Sequence, residues 1–259
     1  MFNSKINGSL LEKNISNQSK IAVIIPALNE EKAIGKVLAE LPAIYQIIVV
    51  DNGSSDLTSV VAKGFDAEVV FEPKRGYGKA CLSGLELVKP EVDIIVFLDG
   101  DYSDYPEDLH LIVKPIIIDN MDLVIGSRVL GNKEKGALTP QQIFGNWLAT
   151  RLIKLFWGFN YSDLGPFRAI KASKLKDLQM SDLNFGWTVE MQIKALKHQL
   201  KIKEVPVRYK QRLGKSKISG TLSGSIKAGV KILYLIVKYG LTSQLFTLRQ
   251  ENKVNNLLL

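Results

Sequence analysis

The sequence predicts an α/β domain with a mostly parallel central sheet flanked by helices. Two observations carry that prediction. Apolar, β-branched runs recur at 21–26, 47–51, 67–71, 93–98 and 122–125, with helix-like patterns between them. Such a βαβ rhythm lays consecutive strands parallel and puts the connecting helices on the sheet's faces. The run that opens at Asp93 is also apolar from Ile94 to Leu98 rather than alternating, which marks a strand covered on both sides.

The intervening patterns read as helices over about 30–41, 57–62, 78–88 and 106–118. Asp56 suits the N-cap of the second, and Pro106 suits the first turn of the fourth. The second half is more helical, at about 141–157, 171–178, 187–198 and 223–239. One further strand is expected at 202–209, where Pro206 points to an edge position or a strand end. There is no internal repeat or linker. The simplest organisation is one domain over 21–240, preceded by a polar extension (1–20) and followed by a short tail (241–259).

A chain of 259 residues with 46% apolar content can build a real core. The single cysteine, Cys81, excludes a disulfide framework and agrees with a reducing compartment. Residues 1–20 are rich in Asn, Ser and Lys and lack the apolar centre of a signal peptide. No run approaches the roughly 20 apolar residues that span a bilayer. A soluble, cytoplasmic protein is expected.

The net charge of +8 is concentrated late in the chain, where Glu204 is the only carboxylate between Lys201 and Lys238. Such an excess favours phosphate-bearing partners. No paired zinc ligands or basic zipper accompany it, so nucleic acid is not expected as a partner.

Ligands of parallel sheets bind beyond the carboxyl ends of the strands. Three strand exits here carry polar side chains: Pro26-Ala-Leu-Asn-Glu30, Asp51-Asn-Gly-Ser-Ser-Asp56 and Asp99-Gly100-Asp101. Two carboxylates separated by one glycine repel each other unless a cation sits between them, and hard oxygen ligands suit Mg²⁺ or Mn²⁺. Alone, Asp-Gly-Asp also reads as a turn. Its position beside two other acidic strand exits favours a metal that clamps a phosphate-bearing substrate.

Other phosphate motifs are incomplete. No G-x-G-x-x-G follows the first strand, which argues against a Rossmann dinucleotide site. Gly214-Lys215-Ser216 lacks the first glycine of a P-loop, whose place is taken by Tyr209. Gly76-Tyr77-Gly78-Lys79 is a short glycine turn opening a helix, from which Lys79 could reach a phosphate.

Together these pieces resemble glycosyltransferase family 2. The resemblance rests on Ile-Pro-Ala-Leu-Asn-Glu (25–30), Val-Val-Asp-Asn-Gly-Ser-Ser-Asp (49–56), Gly-Tyr-Gly-Lys-Ala (76–80) and Leu-Asp-Gly-Asp-Tyr-Ser-Asp-Tyr-Pro-Glu (98–107). Within the family the chain is most similar to the dolichol- or polyprenol-phosphate mannosyl- and glucosyltransferases. Gly-Ser-Arg (126–128), Leu-Gly-Pro-Phe-Arg (164–168), Glu-Val-Pro-Val-Arg-Tyr (204–209) and Arg-Leu-Gly-Lys-Ser-Lys (212–217) carry that closer likeness.

The resemblance implies the GT-A fold and an inverting, Mg²⁺- or Mn²⁺-dependent transfer of a hexose from a UDP- or GDP-sugar. The implied acceptor is a polyprenyl or dolichyl phosphate. Pro26, Leu28, Glu30 and Asp51 would line the base and ribose pocket. Asp99, Gly100 and Asp101 would meet the ribose and the metal-bound diphosphate, with Ser103 standing where the branch often has a glutamine that aids the metal. Asp104 is the alternative ligand. Arg128 and Arg168 match arginines that hold the acceptor phosphate, while Arg212, Lys215 and Lys217 match a loop that closes over the diphosphate.

A phosphate acceptor is already an anion, but a hydroxyl acceptor needs a general base. Asp163 and Glu190 are the candidates for that role; His110 and His198 read as surface residues. Membrane-embedded members of the branch carry transmembrane helices after the catalytic domain, and none is evident here. Helix 223–239 places Ile226, Val230, Leu233 and Val237 at helical spacing beside Lys227, Lys231 and Lys238. That face could contact an anionic membrane peripherally, at its inner surface. Burial of the face in the core is the favoured reading. Transfer to a soluble hydroxyl acceptor, a nucleotide-sugar pyrophosphorylase and a non-catalytic nucleotide-binding module are the competing functions.

Overall fold

The structure is a computed structural model, and it describes residues 19–214 and 222–255. A seven-stranded sheet forms its centre, in the order β3-β2-β1-β4-β6-β5-β7. The strands are β1 (Ile21–Ala27), β2 (Gln46–Asp51), β3 (Glu68–Phe71), β4 (Ile94–Phe97), β5 (Leu123–Ser127), β6 (Arg168–Lys171) and β7 (Ile202–Pro206). The helices are α1 (Ile34–Glu40), α2 (Thr58–Lys63), α3 (Tyr77–Leu85), α4 (Leu109–Ile118), α5 (Pro140–Trp157), α6 (Ala172–Leu178), α7 (Trp187–Lys197) and α8 (Leu222–Asn255).

Strands β3, β2, β1 and β4 pair in parallel, as the βαβ rhythm requires. In β1, β2 and β4 the apolar runs follow from burial on both faces. Along β1, Ala22 and Ile24 enter one core while Val23 and Ile25 enter the other. Strand β7 pairs only with β5 and ends at Pro206, the edge position that the proline predicted.

The sequence reading misses β6, which runs antiparallel between β4 and β5. It is four residues long, begins with a charge and leads directly into α6. Helix α1 is shorter than expected because Asn29 adopts a left-handed φ of 54° and residues 31–33 form a turn first. Helix α5 follows its sequence signals closely: Thr139 and Gln142 close a capping box, Pro140 opens the helix and Gly158 ends it at φ 73°.

The longest helix departs most from expectation. Helix α8 has 34 residues and runs to Asn255, through most of the expected tail. The face predicted to be buried is open to solvent: Ile226, Val230 and Val237 are 56%, 62% and 41% exposed. Leu235 and Ile236 face the core instead. A Cβ on Gly240 would lie 2.5 Å from the Phe156 ring, so close packing on α5 fixes the helix's rotation. Among the described residues, no helix is long and apolar enough to cross a membrane.

Candidate active site

The exits of β1, β2 and β4 and the start of α3 surround a cleft of about 450 Å³. Pro26, Leu28 and Glu30 line it from β1, Asn52 from β2, and Asp99, Gly100 and Asp101 from β4. Arg75, Gly76 and Tyr77 close one side, and Asn184, Phe185 and Arg212 reach in from the second half of the chain. The cleft therefore gathers most of the predicted donor residues, although they span nearly 190 positions of sequence.

Local geometry explains the glycines. A Cβ on Gly100 would lie 3.3 Å from the Pro26 carbonyl oxygen, so the ends of β1 and β4 come close together there. Gly76 has φ 153°, and a Cβ there would sit 2.2 Å from the Leu183 carbonyl oxygen. At Gly78 the corresponding gap to the Asp182 carbonyl is 1.9 Å. The glycine turn thus seats the start of α3 against residues 182–184. Asn52 completes this wall by accepting a hydrogen bond from Gly76 N at 2.7 Å while donating to the Glu72 and Lys74 carbonyls.

The two acids of Asp99-Gly-Asp101 have different surroundings. The Tyr77 hydroxyl donates to Asp99 at 3.0 Å. Burial, reinforced by the charge of Asp101, pushes the Asp99 carboxyl up to about 7. Asp101 accepts from Ser103 N at 2.9 Å and from the Ser103 hydroxyl at 2.5 Å. The Arg212 guanidinium lies 3.1 Å from its other oxygen and donates to Glu30 at 2.6 Å. One arginine therefore ties the exits of β1 and β4 together.

Behind these residues is a carboxylate that is not satisfied. Asp104 is 1% exposed, and neither of its oxygens has a hydrogen-bond partner among the described residues. Burial, then the charges of Asp99 and Asp101, holds its carboxyl well above the ordinary range. Paired acids whose repulsion raises a pKa, with an adjacent buried serine oxygen, are groups that a divalent cation would relieve, although among the described residues no third acid joins them in one ligand cluster. A cation there would fill its remaining positions with water and phosphate oxygens, as Mg²⁺ commonly does. The chemistry of these residues fits a metal that Asp99 and Asp101 could hold, with Ser103 bonded to Asp101.

The other expected residues are placed elsewhere. Asp51 is buried behind the cleft, where it accepts from Ser54 N at 2.8 Å and from the Ser59 hydroxyl. Lys79 pairs with Glu72 at 3.3 Å and is not in the cleft lining. Arg128 and Asp163 form a two-pronged pair, at 2.8 and 2.7 Å, and Asp163 also accepts from Arg128 N. Burial lowers the affinity of Arg128 for its proton, but the charge of Asp163 outweighs this and leaves the pKa above its usual value.

Arg168 is fully buried on β6. Its guanidinium donates to the carbonyls of Leu164, Gly165 and Thr188, and burial lowers it to about 10. Glu190 accepts from Ser181, Asp182 and Tyr239 and pairs with Lys194 at 2.8 Å. Burial alone would raise its pKa, but these donors hold it below the usual value. Lys215 and Lys217 lie outside the described residues.

Tyr77 and Asn52 sit within motifs singled out in the sequence, yet their roles become visible only in the fold. Phe185 and Asn184 carry no such signal. They reach the cleft through the turn that Gly76 and Gly78 pack against.

Known proteins show the same architecture. The sequence profile described as "Glycosyl transferase family 2" matches residues 22–178. An uncharacterised glycosyltransferase of Mycobacterium tuberculosis is 34% identical over 211 residues, covering 80% of this chain and 94% of the relative. A UDP-N-acetylglucosamine–dolichyl-phosphate N-acetylglucosaminyltransferase of Methanococcus voltae is 31% identical over 248 residues, covering 85% and 96%. Among solved structures, glucosyl-3-phosphoglycerate synthase of Mycobacterium tuberculosis, in complex with Mn²⁺, UDP-glucose and phosphoglyceric acid, superposes with a TM-score of 0.69. Its identity is 20%, and the match covers 88% of this chain and 82% of that one. The fold is GT-A, and the chain belongs to glycosyltransferase family 2.

Proposed function

We propose that the protein moves a hexose from a UDP- or GDP-sugar to a polyprenyl or dolichyl phosphate, with inversion at the anomeric carbon. The observation that carries this reading is the state of the acids. Asp163 is locked to Arg128, Glu190 is saturated by its donors, and Glu30 and Asp101 both hold Arg212. Asp99 adjoins Asp101 on the metal side of the cleft, and Asp104, unpartnered among the described residues, is buried outside the cleft lining. A phosphate acceptor needs no base, whereas an alcohol does. The Methanococcus relative's printed activity, on a dolichyl phosphate, supports the same choice.

In this account Pro26, Leu28 and Glu30 receive the base and ribose, and Asn52 keeps the Gly76 turn against them. Tyr77 orients Asp99 through its hydroxyl, and Ser103 orients Asp101. A Mg²⁺ or Mn²⁺ ion held by Asp99 and Asp101 would supply Lewis-acid stabilisation of the departing diphosphate. Arg212 turns from Asp101 toward that diphosphate, adds positive charge where negative charge develops and shields the anomeric carbon from water. Lys215 follows Arg212 on the same connection and serves the same anion. Arg128, held by Asp163, offers guanidinium donors to the acceptor phosphate. Arg168, enclosed by carbonyls, positions the 164–165 turn next to Asp163.

A screen of UDP- and GDP-hexoses with Mn²⁺ or Mg²⁺ tests the donor side. Binding and slow hydrolysis of at least one nucleotide sugar, abolished by EDTA, is the expected result. Failure of every nucleotide sugar to bind in the presence of metal overturns the reading.

A further inference from the structure

Helix α8 has two apolar stripes, and only one of them is used to hold the domain together. Ile232, Leu235, Ile236 and Tyr239 pack into the core that contains Trp187. At 100° per residue, Ile226, Val230, Tyr234, Val237 and Leu241 fall within about 80° of one another on a different side of the helix. All five are between 41% and 62% exposed. The stripe is thus a row of large apolar groups, one at nearly every turn, with no protein over it among the described residues. Contiguous apolar surface of this kind marks an interaction site.

Charge identifies the partner. Lys227 and Lys238 are exposed alongside the stripe, and the Lys238 ammonium lies 5.9 Å from the Tyr234 ring centroid. Lys231 is partly exposed and pairs with Asp182. From residue 222 to residue 250 the sequence contains Lys227, Lys231, Lys238 and Arg249 but no Asp or Glu. In a two-fold pairing of this surface with a second copy, the stripe would meet itself and bring the lysine rows together with no carboxylate between residues 222 and 250 to offset them. An anionic bilayer supplies both requirements: acyl chains for the aliphatic side chains and phosphate headgroups for the lysines. Tyr234, with an apolar ring and a polar end, suits the boundary between them.

We propose that α8 is a peripheral membrane-docking element that lies in the interface of an anionic phospholipid bilayer, with Ile226, Val230, Tyr234, Val237 and Leu241 facing inward. The inference rests on this surface and not on the acceptor assignment. If both hold, docking brings the cleft to the surface where a lipid-phosphate acceptor resides.

Flotation of the full chain with extruded vesicles tests the proposal. Vesicles of phosphatidylcholine with about 30% phosphatidylglycerol should carry the protein upward; vesicles of phosphatidylcholine alone should carry much less. V230S/V237S should weaken binding at least tenfold while leaving the melting temperature and nucleotide-sugar binding unchanged. K227Q and K238Q should each weaken binding about fivefold, and high salt should weaken binding of the unmodified chain in the same direction. The proposal is overturned if the protein floats with neither vesicle, or if V230S/V237S floats as well as the unmodified chain. A dimer that V230S/V237S dissociates, with no vesicle binding, would identify a second copy as the occupant instead. Donor hydrolysis, measured without vesicles, is unaffected by either outcome.

Discussion

The Arg212 guanidinium lies 3.1 Å from the Asp101 carboxylate, joining the segment after β7 to the exit of β4. Positive charge thus already rests on the acid that would ligate a cation. The two cannot occupy the same oxygen in the same geometry. This relation makes Arg212 both a competitor of the metal and, once displaced, a partner of the diphosphate.

R212A should therefore separate metal binding from turnover. Removing the guanidinium frees Asp101, so Mn²⁺ should bind several-fold more tightly in calorimetry. The loss of a charge aimed at the leaving group should lower kcat by about 10²–10³, the range found when one preorganised donor is deleted. Stability should change by less than about 1 kcal/mol, because the arginine is partly exposed and solvent screens its pairs.

Metal binding should depend on pH through Asp99. Its folded pKa of about 7 lies above that of an unfolded aspartate, so the metal-free folded state binds more protons between roughly pH 4 and 7. The group's contribution to stability accordingly falls as pH rises across that window. A cation must displace the proton, so Mn²⁺ affinity should rise with pH up to about 7 and then level off. Calorimetric titrations at pH 5.5, 6.5, 7.5 and 8.5 would show this. An affinity constant across the series would contradict the assignment of Asp99 as a ligand.

The pair between Arg128 and Asp163 should behave as a structural unit. Asp163 is fully buried and Arg128 nearly so. D163N leaves the guanidinium without its counter-charge and should cost about 3–5 kcal/mol in denaturant unfolding. The double change R128M/D163L should cost much less, because it removes both charges. Were Asp163 a general base, D163N would instead fold normally and lose the acidic limb of a pH–rate profile.

G78A should damage the cleft wall. Its Cβ would sit 1.9 Å from the Asp182 carbonyl, with no flexible side chain there to yield. Displacement of α3 from residues 182–184 should cost about 1–3 kcal/mol and weaken nucleotide binding together with stability. Thermal melts and nucleotide titrations of the same sample would test both.

The parallel half of the fold was legible because two-sided burial leaves continuous apolar runs such as residues 94–98, and turn chemistry brackets them. The donor side of the cleft followed, since strand exits of a parallel sheet converge on one edge. Glu30, Asp99, Asp101 and Arg212 do meet there. Arg168 was harder to read. A buried arginine bonded to backbone carbonyls has the same sequence signature as one that binds phosphate. Glu190 likewise gives no sign that its partners are Ser181, Asp182 and Lys194. Helix α8 was misread for a different reason: apolar residues recur at helical spacing on two sides, and periodicity cannot say which side the core selects. The contact of Gly240 with Phe156 decides that, and it is a property of the packed domain.

The most direct measurement compares the initial rates of hexose transfer from one nucleotide sugar to dolichyl phosphate and to the unphosphorylated alcohol, dolichol, with Mn²⁺ present. The two lipids differ only in the group that attacks. A site with a metal, arginines and no disposable base should use the phosphate at least about 10²-fold faster, the lower end of what general-base catalysis contributes. EDTA should abolish the reaction. Equal rates with both lipids, or transfer only to the alcohol, would contradict the account.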